Sequence, residues 1–216
     1  MKIKTVTTIG GAMLLCLSLN ACAPLMVAGF AGSALVASDR RTSGTQLEDE
    51  TIELRSSSRV RDALGEKAHV NITSFNRQVL ITGEVANDRD RQTVVGLVEK
   101  VENVRSVVNE LAVMPITTLS ERSNDLLITA KVKGSLVDSR DLFANAFKVV
   151  TERGTVYLMG RVTQREASSA TNVIRNVNGV TKVVRLFDII TEDELRNLLP
   201  PPPPPEKPGE SPKIKG

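Results

Sequence analysis

The sequence is short of the residues on which most catalysis and nucleic-acid reading depend. Aromatic residues make up 3% of the chain, with no tryptophan and the single tyrosine Tyr157. Stacking platforms for single-stranded nucleic acid are therefore nearly absent, and no nucleic-acid partner is expected. One histidine, His69, leaves multi-histidine metal sites and histidine-based triads short of members. It begins a predicted strand and reads as an exposed or edge residue. Both cysteines, Cys16 and Cys22, lie at the amino-terminal end, so the rest of the chain has neither a disulfide nor a cysteine metal site. The carboxylates show no distinctive pairing, and Asp138, Asp141 and Glu152 fall in predicted loops without a partner. Neither an enzyme nor a cofactor is expected. Charge of one sign is lacking too: 28 Lys and Arg face 25 Asp and Glu, for a net +3. Attraction to an anionic surface must then come from a local cluster.

Against these absences stands a well-formed amino terminus. Lys2 and Lys4 precede an uncharged stretch containing Ala12-Met-Leu-Leu-Cys-Leu17, which ends in Leu19-Asn20-Ala21-Cys22. This is the tripartite form of a secretory signal. Leucine three places before Cys22 and a small residue just before it resemble the bacterial lipobox, although Asn20 departs from the commoner small residue. That resemblance implies thioether lipidation of Cys22, cleavage after Ala21 and acylation of the new amine, and the mature chain then carries +1. Several acyl chains make such attachment effectively permanent. Two other readings stay open: an ordinary signal peptide, and an uncleaved membrane span, since no charge occurs between Lys4 and Asp39. Ala23 stands where an Asp would resemble an inner-membrane retention signal, so the outer membrane is expected. Residues 22–44 are read as a lipidated, membrane-proximal tether, uncharged from 23 to 38 and rich in small residues.

The remainder is a duplication. Val79-Leu-Ile-Thr-Gly-Glu-Val85 recurs 77 residues later as Val156-Tyr-Leu-Met-Gly-Arg-Val162, and Val70 and Ile72 recur as Phe147 and Val149. Upstream, Val60 and Leu64 match Val132 and Leu136 at an offset of 72, which gives copy two five extra loop residues. In each copy the apolar period runs from helix-like (51–64, 124–137) to alternating strands. Asn76-Arg77 and Arg153-Gly154 supply hairpin turns. A second helix follows, capped by Asn87 in copy one and by the box Thr163-Gln-Arg-Glu166 in copy two. A last strand closes each copy, at 104–113 and 180–190. The expected fold class is α+β, with two tandem α-β-β-α-β domains, each a three-stranded sheet packed with two helices. The boundaries are 1–21 signal peptide, 22–44 tether, 45–114 first domain, 115–122 linker, 123–190 second domain, and 191–216 a short helix, capped by Thr191-Glu-Asp-Glu194, with a disordered proline-rich tail. Gly83 and Gly160 read as sharp turns or close backbone approaches; a phosphate loop needs more glycines.

The element order, the central apolar-Gly-x-Val and the late Val-x-x-Val-Val resemble the BON domain over residues 45–190. With the lipidated start, the chain is similar to the dual-BON outer-membrane lipoproteins. The resemblance implies an anionic-phospholipid-binding protein on the periplasmic face of the outer membrane, supporting envelope integrity and concentrating at division sites.

The duplication is also an internal control, because copies of one fold share core positions and differ where function differs. Ile128, Val132 and Leu136 follow i, i+4, i+8 and face the sheet. The other side of that helix holds Leu126, Leu127, Ala130, Gly134 and Val137 flanked by Lys131 and Lys133, a second apolar face. At the positions matched by the offset of 72, copy one has Leu54, Arg55, Ser58 and Asp62 with Arg59 and Arg61. A helix apolar on two sides is either buried on both, here by packing of copy one on copy two, or meets a membrane. The candidate phospholipid-binding residues are therefore Leu126, Leu127, Ala130, Lys131, Lys133, Gly134 and Val137, with Cys22 as the lipid anchor. An arginine patch of Arg55, Arg59 and Arg61 is an alternative anionic site. An interaction scaffold for envelope proteins is the competing function.

Overall fold

The computed structural model describes residues 39–198. The expectations at Cys22, the signal and the proline-rich tail lie outside the described residues. The first domain comprises α1 (Ser43–Leu64), β1 (His69–Phe75), β2 (Gln78–Val85), α2 (Asp88–Glu99), β3 (Ser106–Asn109) and β4 (Ala112–Val113). The second comprises α3 (Leu119–Asp138), β5 (Phe147–Glu152), β6 (Thr155–Thr163), α4 (Gln164–Arg175) and β7 (Lys182–Ile190), followed by the short α5 (Glu192–Leu198).

In each domain a tight hairpin is followed by a helical crossover, so the middle strand pairs antiparallel with the one before it and parallel with the one after. β1 and β2 pair from His69↔Glu84 to Phe75↔Gln78, and β2 carries β3 and then β4 on its other edge. β5 and β6 pair from Phe147↔Gly160 to Glu152↔Thr155, and β6 carries the whole of β7. Both hairpins turn through two residues at positive φ, Asn76 and Arg77 (49° and 66°) and Arg153 and Gly154 (51° and 70°). This geometry matches the twist of the flanking strands. The expected strand at 104–113 is broken into β3 and β4. Asn109 Oδ1 accepts the backbone N–H of Leu111 at 3.1 Å, which turns Leu111 into the core.

Gly83 and Gly160 lie within the strands rather than at turns, and they mark close approach. A Cβ at Gly83, whose φ is +112°, would sit 2.0 Å from the carbonyl oxygen of His69; one at Gly160 would sit 2.5 Å from that of Ala146.

Each sheet buries one face under its own helices. Val79, Ile81 and Val85 meet Ile52, Val60, Val94 and Val98 in the first domain; Val156, Leu158 and Val162 meet Ile128, Val132, Leu136, Ala170 and Ile174 in the second. The opposite faces meet each other. Phe75 and Leu80 pack with Tyr157 and Met159, with Val108, Val150, Val184 and Leu186 around them. The two domains therefore join sheet to sheet, with the helices outside.

The helices also correct the alignment of the copies. Asp49 in α1 accepts the backbone N–H groups of Asn76 and Arg77, both at 2.8 Å. Asp125 in α3 accepts those of Arg153 and Gly154 at 2.8 and 2.9 Å. Asp49 thus corresponds to Asp125, Ile52 to Ile128, Ser56 to Val132 and Val60 to Leu136, an offset of 76. The offset of 72 is wrong by four residues, about one helical turn, so it preserved the apolar pattern while misplacing every residue. Between helix and hairpin, copy two has one extra residue rather than five.

Candidate functional site

α3 begins at Leu119, five residues before the expected start. Thr118 caps it, accepting from the N–H of Glu121 at 3.3 Å, while the Glu121 carboxylate accepts the N–H of Thr118 at 2.7 Å. Thr118-Leu-Ser-Glu121 spelled this capping box in the sequence and went unread. α1 likewise starts earlier, at Ser43, with Thr42 as its cap.

Only a narrow stripe of α3 is buried: Asp125, Ile128, Val132 and Leu136. At 3.6 residues per turn, Leu126, Ala130, Lys133 and Val137 form one line along the far side, and Leu127, Lys131 and Gly134 a second line beside it. All seven are exposed. Leu126 is 71%, Leu127 61% and Val137 69% accessible. Packing of the first domain does not cover this face, because the domains use their sheets for that purpose. Among the described residues neither Lys131 nor Lys133 forms an ion pair. The sequence reading missed the flank of this patch. Val113, Met114, Ile116 and Leu119, which lead into α3, are also exposed, as is Phe143 just beyond it. Met114 shares an open cleft of about 650 Å³ with Ser120 and Asn124 of α3. An apolar run in a segment read as linker was the available signal.

With the corrected offset, the α3 face corresponds in α1 to Glu50, Thr51, Leu54, Arg55, Ser57, Ser58 and Arg61. The contrast between an apolar and a polar helix face survives. Of the alternative arginine patch, Arg55 pairs with Glu102 at 3.0 Å and Arg59 donates to the carbonyl of Lys100 at 2.9 Å. Both serve to hold α1 against the end of α2.

A second polar grouping lies at the seam between the sheets. Glu84, on β2 and fully buried, accepts from His69 Nδ1 at 2.9 Å, from the N–H and hydroxyl of Thr117 at 3.2 and 3.0 Å, and from Arg153 Nη1. Burial pushes its pKa up, but these donors outweigh it and hold the carboxyl below the usual range. Glu152 ends β5, buried, and among the described residues accepts only from Asn71 Nδ2, at 2.9 Å. Its burial dominates and pushes its pKa up. His69 was expected to be an exposed or edge residue, and it begins the edge strand β1, half-buried; Glu152, expected in a loop without a partner, instead ends β5, buried and bonded to Asn71 of the other domain. Ligand-capable atoms of His69, Glu84 and Glu152 lie within 4.8 Å of one another. Glu84 is already saturated by its donors, one of them a guanidinium, and the grouping is built as an interface cluster.

The comparisons with known proteins agree with this architecture. Residues 49–115 and 124–191 each match the BON domain. The chain belongs to the BON-domain family. Its two BON domains are tandem and α+β, and the chain is DolP-like. It is similar to the outer membrane lipoprotein DolP of Haemophilus influenzae, 37% identical over 171 residues, which cover 78% of this chain and 89% of that protein. It is also similar to a 21 kDa hemolysin of Actinobacillus pleuropneumoniae, 32% identical over 154 residues, covering 70% and 79%. Neither relative is named as an enzyme. Among solved structures, CdsD of Chlamydia trachomatis, a structural protein of the type III secretion system, aligns over 71% of this chain and 96% of that one at 16% identity, with a TM-score of 0.29.

Proposed function

We propose that this BON protein is anchored by lipid at Cys22 to the outer membrane, faces the periplasm, and contacts anionic phospholipid through the outer face of α3, so supporting the integrity of the envelope, including at division sites. The observation that carries the reading is the exposure of Leu126, Leu127 and Val137 beside Lys131 and Lys133 on one helix, while the matching face of α1 is polar except for Leu54. The naming of the DolP relative as an outer membrane lipoprotein supports the placement.

Magnitudes explain why anchor and helix belong together. Two lysines near an anionic surface contribute about 1 kcal/mol each. A partly inserted leucine adds about 1–2 kcal/mol, part of the value for full burial. A total near 4 kcal/mol corresponds to a dissociation constant of about 1 mM. Tethering holds the helix at high effective concentration over the bilayer, so contacts this weak suffice.

The test is sedimentation of a fragment of residues 39–216 with vesicles containing anionic phospholipid. The fragment carrying Leu127→Glu is expected to keep its fold and to lose binding. Vesicle binding unchanged by the substitution would remove the lipid site and favour the second reading, in which the same exposed apolar face receives an envelope protein.

A further inference from the structure

We propose that a cavity between α3 and β1, bordering the lipid-facing side of α3, receives the headgroup of a phospholipid that carries a primary ammonium beside its phosphate. The inference rests on the reading that the outer face of α3 lies on lipid, and it adds a headgroup preference to it. The cavity holds about 240 Å³ and is formed by both domains, with His69 and Asn71 of β1 on one side and Arg122 and Glu152 on the other. Leu126, from the exposed line along α3, is part of its wall. A bilayer against that line therefore meets the cavity as well.

The charges in this cavity are set apart rather than paired. Among the described residues Arg122 forms no ion pair, and its Nε is buried without a hydrogen-bond partner, although Glu152 and Asp125 line the same space. Asp125 engages both carboxylate oxygens with the backbone N–H groups of Arg153 and Gly154. Glu152 accepts from the neutral amide of Asn71, whose nitrogen also lies 3.4 Å from His69 Nε2. The other ring nitrogen, Nδ1, faces the Glu84 carboxylate, which can only accept. Nδ1 therefore carries the proton of the neutral ring, and Nε2 presents a lone pair. One side of the cavity offers a carboxylate and an imidazole lone pair, and the other an unpaired guanidinium.

That pattern complements a group with an ammonium at one end and a phosphate at the other. The ammonium donates to Glu152 and to His69, which have ligand-capable atoms within 4.8 Å of each other. It takes the place of the exposed Asn71 amide, which already reaches towards both. The phosphate meets Arg122, whose planar donors suit a charge-assisted contact of this kind. Burial pushes the Glu152 pKa up, and an ammonium beside it favours the ionised form. Size agrees, because 240 Å³ is the volume of about eight liquid waters at ~30 Å³ each, and a phosphoethanolamine group has that number of non-hydrogen atoms. A trimethylated amine has no N–H for either acceptor, and a glycerol headgroup leaves the charge of Glu152 uncompensated. A divalent cation suits the acceptors but not the guanidinium beside them. Lys131 and Lys133, outside the cavity, keep their attraction for anionic neighbours, so the helix face and the cavity take different lipids.

The experiment places the full lipidated chain in nanodiscs of equal anionic-lipid content, in which the remaining lipid is either phosphatidylethanolamine or phosphatidylcholine. NMR cross-peaks between the His69 ring and the headgroup methylenes, with a shift of the Asn71 side-chain amide, are expected with ethanolamine and absent with choline. Arg122→Gln and Glu152→Gln are each expected to abolish the cross-peaks. Identical His69 and Asn71 signals in the two discs, or cross-peaks that survive both substitutions, would overturn the proposal. So would saturable shifts from soluble glycerophosphoethanolamine that membrane ethanolamine does not produce, the mark of a site for a free solute. Leu127→Glu keeps the two readings apart. If it abolishes vesicle binding while His69 does not distinguish the headgroups, the cavity fails and the α3 face stands; vesicle binding indifferent to it is the failure of the face, and of the cavity with it. If Arg122→Gln or Glu152→Gln fails to fold, the wild-type comparison of the two discs still decides.

Discussion

Single residues show what close backbone packing and buried polarity each demand. Gly83 is required both by its positive φ and by the His69 carbonyl that a side chain would strike. Gly83→Ala combines backbone strain with overpacking, each on the order of 1–3 kcal/mol. We expect a clear loss of stability in chemical denaturation, with Gly160→Ala, where φ is ordinary, losing less. Ser56 is the converse case. It is fully buried, its Oγ has no partner among the described residues, and the second domain places Val132 at the same position. Ser56→Ala removes an unsatisfied hydroxyl and is expected to raise stability by about 1 kcal/mol, read as a shift of the denaturation midpoint. These two glycines were legible in the sequence as either sharp turns or close approaches, and the structure selects the second. The buried serine was not, because a lone polar residue inside a helical apolar pattern reads as surface.

At the scale of elements, hydrogen-bonding side chains set the ends of the helices and the pose of the hairpins. Thr163 accepts from the N–H of Glu166 at 3.3 Å while Glu166 accepts that of Thr163 at 3.0 Å, as the sequence motif foretold. Asp125 spans from α3 to the β5–β6 turn, and its carboxylate takes two backbone N–H groups. Removing it by Asp125→Ala is expected to cost on the order of 3 kcal/mol. Selective loss of hydrogen-exchange protection at that turn would identify the cause. The same pair of aspartates fixes the alignment of the copies, which apolar spacing alone cannot do. A shift of four residues returns a helix to nearly the same face, so only a contact with another element reveals the true register. The residues picked on the outer side of α3 are all exposed, and their contrast with α1 holds at either offset.

The whole molecule is held by contacts that join distant segments across the sheet-to-sheet seam. Arg40 reaches Glu166 with two hydrogen bonds of 2.7 Å, both side chains buried, and donates to the carbonyl of Arg161. Arg41 pairs with Asp39 and Asp49 and lies over the ring of Phe75 at 4.2 Å. Adjacent residues of one short segment thus hold both domains. Arg40→Gln leaves Glu166 buried without its cation, and a cost of about 3–5 kcal/mol is expected in equilibrium unfolding. Burial alone would raise the pKa of Glu166, but Arg40 and the Thr163 N–H outweigh it and hold the carboxyl low. A carboxylate with a lowered folded pKa stabilises above its unfolded pKa, and that contribution is lost as pH falls through the folded value. Unfolding followed from pH 5 downward should therefore show falling stability in the wild type and a weaker fall in Arg40→Gln.

By itself the sequence determined the duplication, the α-β-β-α-β order, the hairpin turns and the helix face with two apolar sides, because each is written in residues close together along the chain. That this second apolar face stays uncovered was decided only by the tertiary structure. Val79-Leu-Ile and Val156-Tyr-Leu-Met are continuous apolar runs, the mark of strands buried on both faces. Their inner sides found each other, and that left α3 uncovered. The partnership of His69, Glu84, Glu152 and Arg153 also belongs to the tertiary structure. Such a cluster is assembled from residues up to 84 positions apart, and no spacing along one element records it.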